Sequence, residues 1–186
     1  MDHLPHLQAI VAADPIRLRI LRQVRALELA DCWVGAGFVR SAVWDHLHQR
    51  KSSPLPADVD VVWFDKTQAS RASDAHIEGL LRSMDSTVNW SIKNQAYMHL
   101  RNDDPPYSSV ADAMTHWPET ATAVAVRMGV HDLIEVAAPL GLSDLFNLVV
   151  RPTARFQGEK WQVFQDRLNS KNWRANWPEL KILPHT

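Results

Sequence analysis

The chain has 186 residues, a formal net charge of −1 and 46% apolar residues. That length fits one domain, or one domain with a small appendage, and the apolar fraction supplies a sizeable core. The near-zero charge gives no global case for nucleic-acid binding, although it leaves room for a local basic groove. The single cysteine, Cys32, excludes an intrachain disulfide and points to a reducing, cytoplasmic setting.

The opening MDHLPHLQAI has neither the basic nor the long apolar region of a signal peptide. No run approaches the ~20 apolar residues of a membrane span, so no membrane partner is expected. Asp14-Pro15 opens a helix, with Asp as the cap and Pro at the first helical position. Ile16, Ile20, Val24 and Leu27 recur at helical spacing as a buried stripe. Arg17, Arg19, Arg22 and Arg25 fall outside it and read as a solvated face or a surface for a polyanion, the solvated face being favoured.

Cys32 to Val34 reads as a short buried strand. Gly35-Ala36-Gly37 turns the chain, and a helix follows over Phe38 to His48. Lys51 to Ala57, with two prolines and two serines, is a loop, and Asp58 to Phe64 is a strand. Ser73 or Asp74 caps a helix running to about Met84. Val88 to Asn94 is a second strand of this region, Gln95 to Arg101 a short helix, and Val110 to His116 another. Thr120 to Arg127 and Leu133 to Ala137 read as strands, Leu142 to Phe146 as a helical turn, and Leu148 to Val150 as a last short strand. From Gly158 the pattern is helical. Together these elements describe a single α+β domain: a mixed sheet of about five strands flanked by helices, with residues 156–186 as a C-terminal helical segment packed on it.

The glycine turn and the strand after it carry the chemistry. A GxG turn between strand and helix lets the backbone approach an anion, and the first helical N–H groups have no internal acceptor. A tight turn with no ligand reads equally well. A dinucleotide-binding loop is disfavoured, because Arg40 stands where a small residue is needed and Asp65 lies beyond the usual ~20-residue spacing. Asp58 and Asp60, at i and i+2 on a strand, project from one face ~7 Å apart at their Cα atoms. Burying Val59, Val61 and Trp63 on the other face fixes the two acids together. Paired carboxylates suit a hard cation such as Mg²⁺, which binds through one or two carboxylates plus substrate phosphates.

The stretches GAGFVRSAVWDHLH, DVDVVWFD, WSIKNQAYMH, WPETATAVAVR, APLGLSDLF and VVRPT, with KNWRANWPEL near the end, resemble the DNA polymerase β-type nucleotidyltransferase superfamily. Within it the chain is similar to a bacterial family of nucleotidyltransferase-like proteins of uncharacterised function. The resemblance implies that Gly35, Ala36 and Gly37 shape the turn holding the β- and γ-phosphates of a nucleoside triphosphate. It implies that Asp58 and Asp60 bind Mg²⁺, or Mn²⁺, as the catalytic pair. A nucleoside monophosphate would then pass to an acceptor, which the sequence leaves open among protein, nucleic acid and small molecule.

Two positions depart from the superfamily pattern. Ala36 stands where many members carry a phosphate-contacting serine. The strand VNWSIKN holds no third carboxylate: Ser91 or Asn94 could contact a metal or water but neither is a good base, and Asp103, Asp104 and Asp112, nearby in sequence, are the available substitutes. A non-catalytic nucleotide-binding or regulatory module is therefore the alternative.

Arg40, in the first turn of the helix, reads equally as a phosphate contact or a surface residue. Lys93 to Gln95 reads as a substrate-facing strand end or a helix start. Thr120, Thr122 and Arg127 could line a nucleotide groove, with sheet packing favoured, and Asp144 reads as a structural brace. His131-Asp132 evokes a metal phosphohydrolase, though the partner ligands are not evident.

Overall fold

The computed structural model describes residues 3–183. The chain begins with a helix the periodicity did not reveal, α1 (Leu4–Ala12), whose Leu7 and Val11 are buried. In α2 (Pro15–Arg25) the expected cap is in place: the Asp14 carboxylate accepts from the N–H groups of Ile16 and Arg17.

The arginine reading of α2 needs correction at one position. Ile20 and Val24 are buried as expected, but Ile16 is exposed and Arg17 is fully buried. Its guanidinium donates from Nε to the Phe38 carbonyl (3.1 Å), from Nη1 to the Ser53 carbonyl (2.9 Å), and pairs with Asp14. A buried cation is tolerated when its donors are satisfied. Here those donors tie α2 to the helix after the glycine turn and to the loop before the acidic strand. Arg19 pairs with Asp85, and Arg22 and Arg25 pair with Asp132, so these three form surface ion pairs rather than an open basic face.

The main sheet has five strands in the order β3-β2-β1-β4-β5. These are β1 (Trp33–Gly35), β2 (Val59–Trp63), β3 (Trp90–Asn94), β4 (Ala125–Met128) and β5 (Ile134–Ala137). The sheet is mixed: β2 and β3 run parallel, while the β1–β2, β1–β4 and β4–β5 pairs are antiparallel. The α+β expectation and the strand number hold. Thr120 to Arg127 is not one strand, because Thr120–Thr122 coils into a 3-10 turn and β4 starts at Ala125. The Leu148 strand also lies outside the main sheet: β6 (Val149–Val150) pairs in parallel with β7 (Lys181–Ile182).

On one face of the sheet, Val59, Val61 and Trp63 are buried against a large core. That core includes Ile77 and Leu81 of α4 (Arg71–Met84) and Phe38, Val39, Val43 and Trp44 of α3 (Gly37–Leu47). Ser70, not Ser73 or Asp74, caps α4. Asp74 is instead buried, accepting from the Trp63 indole (3.0 Å) and the Asn94 N–H (2.9 Å). Asn94 caps α5 (Gln95–Asn102), so the polar Lys93–Gln95 run is a helix start.

On the other face, a smaller cluster joins Val62 and Ala125 to Val110 and Met114 of α6 (Val110–Met114). Near α7 (Ser143–Phe146), Asp144 accepts from Thr120 Oγ1 (2.6 Å) and from Arg151 (2.9 Å), the expected brace. Towards the C-terminus, α8 (Trp161–Lys171) and α9 (Trp173–Asn176) contribute Phe164 and Trp173 to the large core. Among the described residues no helix is long and apolar enough to cross a membrane. Cys32 is buried, and burial pushes its thiol up to about 12.

Candidate active site

The strand register sets the site. Trp33 pairs with Val62 and Val34 with Val61, so the same register carried one residue on places Gly35 across from Asp60. Asp60 is also opposite Ser91, and Gly35 opposite Ala125. Directly opposed residues in a sheet share a face. Ser91, Asp60, Gly35 and Ala125 therefore form one row, on the face away from the large core. Asp58 precedes β2 by one residue and is exposed, while Asp60 is half-buried.

The acidic pair is electrostatically coupled. Burial, then the charge of Asp58, push the Asp60 carboxyl up to about 6. A hydrogen bond with the Ser91 hydroxyl and the charges of Arg40 and Arg167 oppose that rise.

The glycine turn carries its unusual backbone angle between the two glycines. Neither Gly35 nor Gly37 has a positive φ; Ala36 does, with φ 53° and ψ −122°. An L-residue in that region is strained by about 1–3 kcal/mol. The glycines are needed for space instead. A Cβ on Gly35 would stand 3.1 Å from Ala125 Cβ and from the Val124 carbonyl oxygen, and 3.3 Å from the Trp117 ring. A Cβ on Gly37 would stand 3.3 Å from Pro56 Cβ and 3.5 Å from Arg40 Nη2. The Ala36 N–H bonds to the Val124 carbonyl, and no side chain caps α3. The helix therefore presents its first N–H groups, from Gly37 on, without a side-chain partner.

Arg40 is buried rather than on the helix surface. Its Nη1 donates to Thr122 Oγ1 (3.0 Å), and its guanidinium lies over Trp44 and Trp173, 5.0 and 4.4 Å from the ring centroids. Burial lowers its pKa to about 10, against the field of Glu119. Its Nε has no hydrogen-bond partner. Thr122 thus turns towards the site, whereas Arg127 pairs with Glu135 and covers Trp33.

The structure also brings in Glu119 and Arg167, which the sequence reading passed over. Glu119, fully buried, accepts from Arg167 Nε of α8 at 2.5 Å, and both groups act on Arg40. Asp104 is engaged by Tyr107, Arg155 and Lys160, and Asp112 by Ser108. Among the described residues no group of three His, Cys, Asp or Glu side chains could hold a metal ion, and Asp132 is taken up by Arg22 and Arg25. Among the described residues, His131 and Asp132 thus have no third ligand beside them for the metal that the phosphohydrolase reading requires.

A family model described as nucleotidyltransferase matches residues 22–182. The chain belongs to the nucleotidyltransferase family. Family membership makes it a transferase. A solution NMR structure described as revealing a CCA-adding enzyme head domain is 33% identical to it, with a TM-score of 0.84, covering 95% of this chain and 94% of that one.

Two other structures share the fold at lower identity. One is a CCA-adding enzyme with CTP: 15% identity, TM-score 0.59, 99% of this chain and 44% of that one. The other is a tRNA nucleotidyltransferase with a primer tRNA and an incoming ATP analogue: 16% identity, TM-score 0.57, 90% and 47%. The chain thus spans less than half the length of these two enzymes. No curated protein matches it.

Proposed function

We propose that the chain transfers a nucleoside monophosphate from a nucleoside triphosphate to an acceptor hydroxyl, with Mg²⁺, or Mn²⁺ in its place, held by Asp58 and Asp60. The observation that carries this reading is the row that sets Asp60 beside Gly35, at the uncapped N-terminus of α3. The family match and the nucleotide complexes of the two distant enzymes support it.

The residues suit the ion. Two carboxylates and the Ser91 hydroxyl are hard oxygen donors, and Asp58 already raises the cost of ionising Asp60. A divalent cation bound there supplies charge neutralisation at the phosphoryl oxygens. The N–H groups from Gly37 on receive the polyphosphate, aided by the positive end of the helix. Arg40 adds its charge from beneath the turn, with Nη2 next to Gly37. The proposed chemistry is positioning plus electrostatics, which suffices for phosphoryl-type transfer.

A second reading rests on Ser91. It stands beside Asp60, on the strand where active superfamily members usually carry their third carboxylate, and fits a module that binds nucleotide without turning it over. Incubation with each α-labelled nucleoside triphosphate, Mg²⁺ and a panel of RNA, protein and small-molecule acceptors separates the two. Labelled product and released pyrophosphate are expected, and both should vanish in Asp60→Asn. Tight nucleotide binding with no product from any acceptor class would favour the binding module. No nucleotide binding at all would sink both.

A further inference from the structure

Arg167 is the feature of this site that the proposed reaction does not yet use. It comes from α8, far from the glycine turn in sequence, and reaches the same place. Glu119 engages its Nε at 2.5 Å. Both terminal nitrogens remain free of hydrogen bonds among the described residues. An arginine anchored through Nε alone has a fixed guanidinium plane and two open donors. That is the arrangement that recognises phosphate oxygens in a fork.

Arg40 is held in a matching way. Nη1 is fixed by Thr122, Nε is buried and unpartnered, and Nη2 faces the position where a Gly37 side chain would stand. The two guanidiniums share one indole: Arg40 lies 4.4 Å and Arg167 5.7 Å from the Trp173 ring centroid. Two cations are thus gathered around one buried carboxylate, Glu119, whose Oε2 also lacks a partner. Gathering like charges in a poorly hydrated place is costly unless an anion joins them.

We propose that Arg167, oriented by Glu119, binds the polyphosphate tail of the nucleotide together with Arg40, as the second arm of a two-arginine clamp. This inference rests on the nucleotide reading above. It makes Arg167 a substrate-binding residue and Glu119 a positioning residue. It also gives α8 a direct part in the site.

The test is calorimetric titration of a non-hydrolysable nucleoside triphosphate with Mg²⁺, and of inorganic tripolyphosphate, into wild type, Arg167→Gln, Arg167→Lys and Glu119→Gln. Loss of a charge-assisted contact to phosphate should weaken triphosphate binding by about 10- to 100-fold in Arg167→Gln. Arg167→Lys, with charge but no fork, should fall between. Glu119→Gln should lose less than Arg167→Gln, because an amide oxygen can still accept from Nε while the charge that fixes it is gone. Tripolyphosphate should follow the same order, and the salt dependence of binding should be shallower in Arg167→Gln.

A structural role alone would lower the melting temperature while leaving the affinity of folded protein unchanged. If wild type binds and all three variants bind equally, the clamp is wrong and the nucleotide reading stands. If wild type binds neither probe, both fall. Should Arg167→Gln fail to fold, the Lys variant and Glu119→Gln decide on the same criterion.

Discussion

Asp60 and Ser91 are opposed on parallel strands, and the serine hydroxyl favours the charged form of the carboxylate. Burial and Asp58 nevertheless push Asp60 up to about 6, from an ordinary 3.8. The folded state therefore binds this proton more tightly than the unfolded chain does. Its contribution to stability is complete below about pH 4 and is lost as pH rises through about 6. The metal-free protein should lose this increment of stability across that window, and Asp60→Asn should flatten the change. Mg²⁺-dependent nucleotide affinity should rise across the same window, because the ion requires the carboxylate. Urea unfolding and calorimetry at pH 4 to 7 measure the two trends. Asp60→Asn leaving the stability profile unchanged would mean that Asp60 is not the group.

The parts of this arrangement that the sequence disclosed are local. The glycine turn, the helix after it and the alternation of Asp58 and Asp60 with Val59, Val61 and Trp63 lie within a short stretch, where spacing alone fixes faces. The five-strand mixed sheet followed from the same kind of pattern. What stayed hidden depends on contacts between distant segments. Arg40, Glu119 and Arg167 meet only in three dimensions, and α8 showed nothing beyond helical periodicity. Arg17 looked solvated because it lies off the apolar stripe, yet Phe38 and Ser53 come to it from elsewhere. The position of backbone strain in the turn was not legible either. Glycine is the usual carrier of positive φ, but here Ala36 has it and the glycines serve close packing.

Ala36→Gly should therefore stabilise the protein. Relief of the left-handed strain outweighs the added freedom of the unfolded chain, leaving a net gain of about 1 kcal/mol, or roughly 2–4 °C in Tm for a chain of this size. A thermal melt checks it. An unchanged or lower Tm would show that the neighbouring contacts, not the φ angle, set the energy of this turn.

Gly37→Val should weaken triphosphate binding by about 10-fold or more, with a smaller effect on folding. The reason is steric. The new Cβ would crowd Pro56 and lie in contact with Arg40 Nη2, and its methyl groups would cover the N–H groups at the helix start. Calorimetry on the folded variant gives the answer, and equal affinity would remove the phosphate role from this turn.

Arg17→Met should cost about 3 kcal/mol, because it leaves the Phe38 and Ser53 carbonyls and Asp14 without their buried donor. Urea denaturation should show a lower midpoint. A loss below about 0.5 kcal/mol would place Arg17 among ordinary surface residues.

Thermal melts of wild type, Asp58→Asn and Asp60→Asn, each with and without Mg²⁺ and a nucleoside triphosphate, test the central claim most directly. Without ligand both variants should melt at or above the wild-type temperature, since each removes one of two repelling charges. With Mg²⁺ and triphosphate, wild type should rise by the increment that binding to the native state confers, about 2.7 kcal/mol at a ligand concentration of 100 Kd. Both variants should lose most of that rise. A wild-type rise that survives unchanged in both variants would show that Asp58 and Asp60 do not hold the metal and nucleotide.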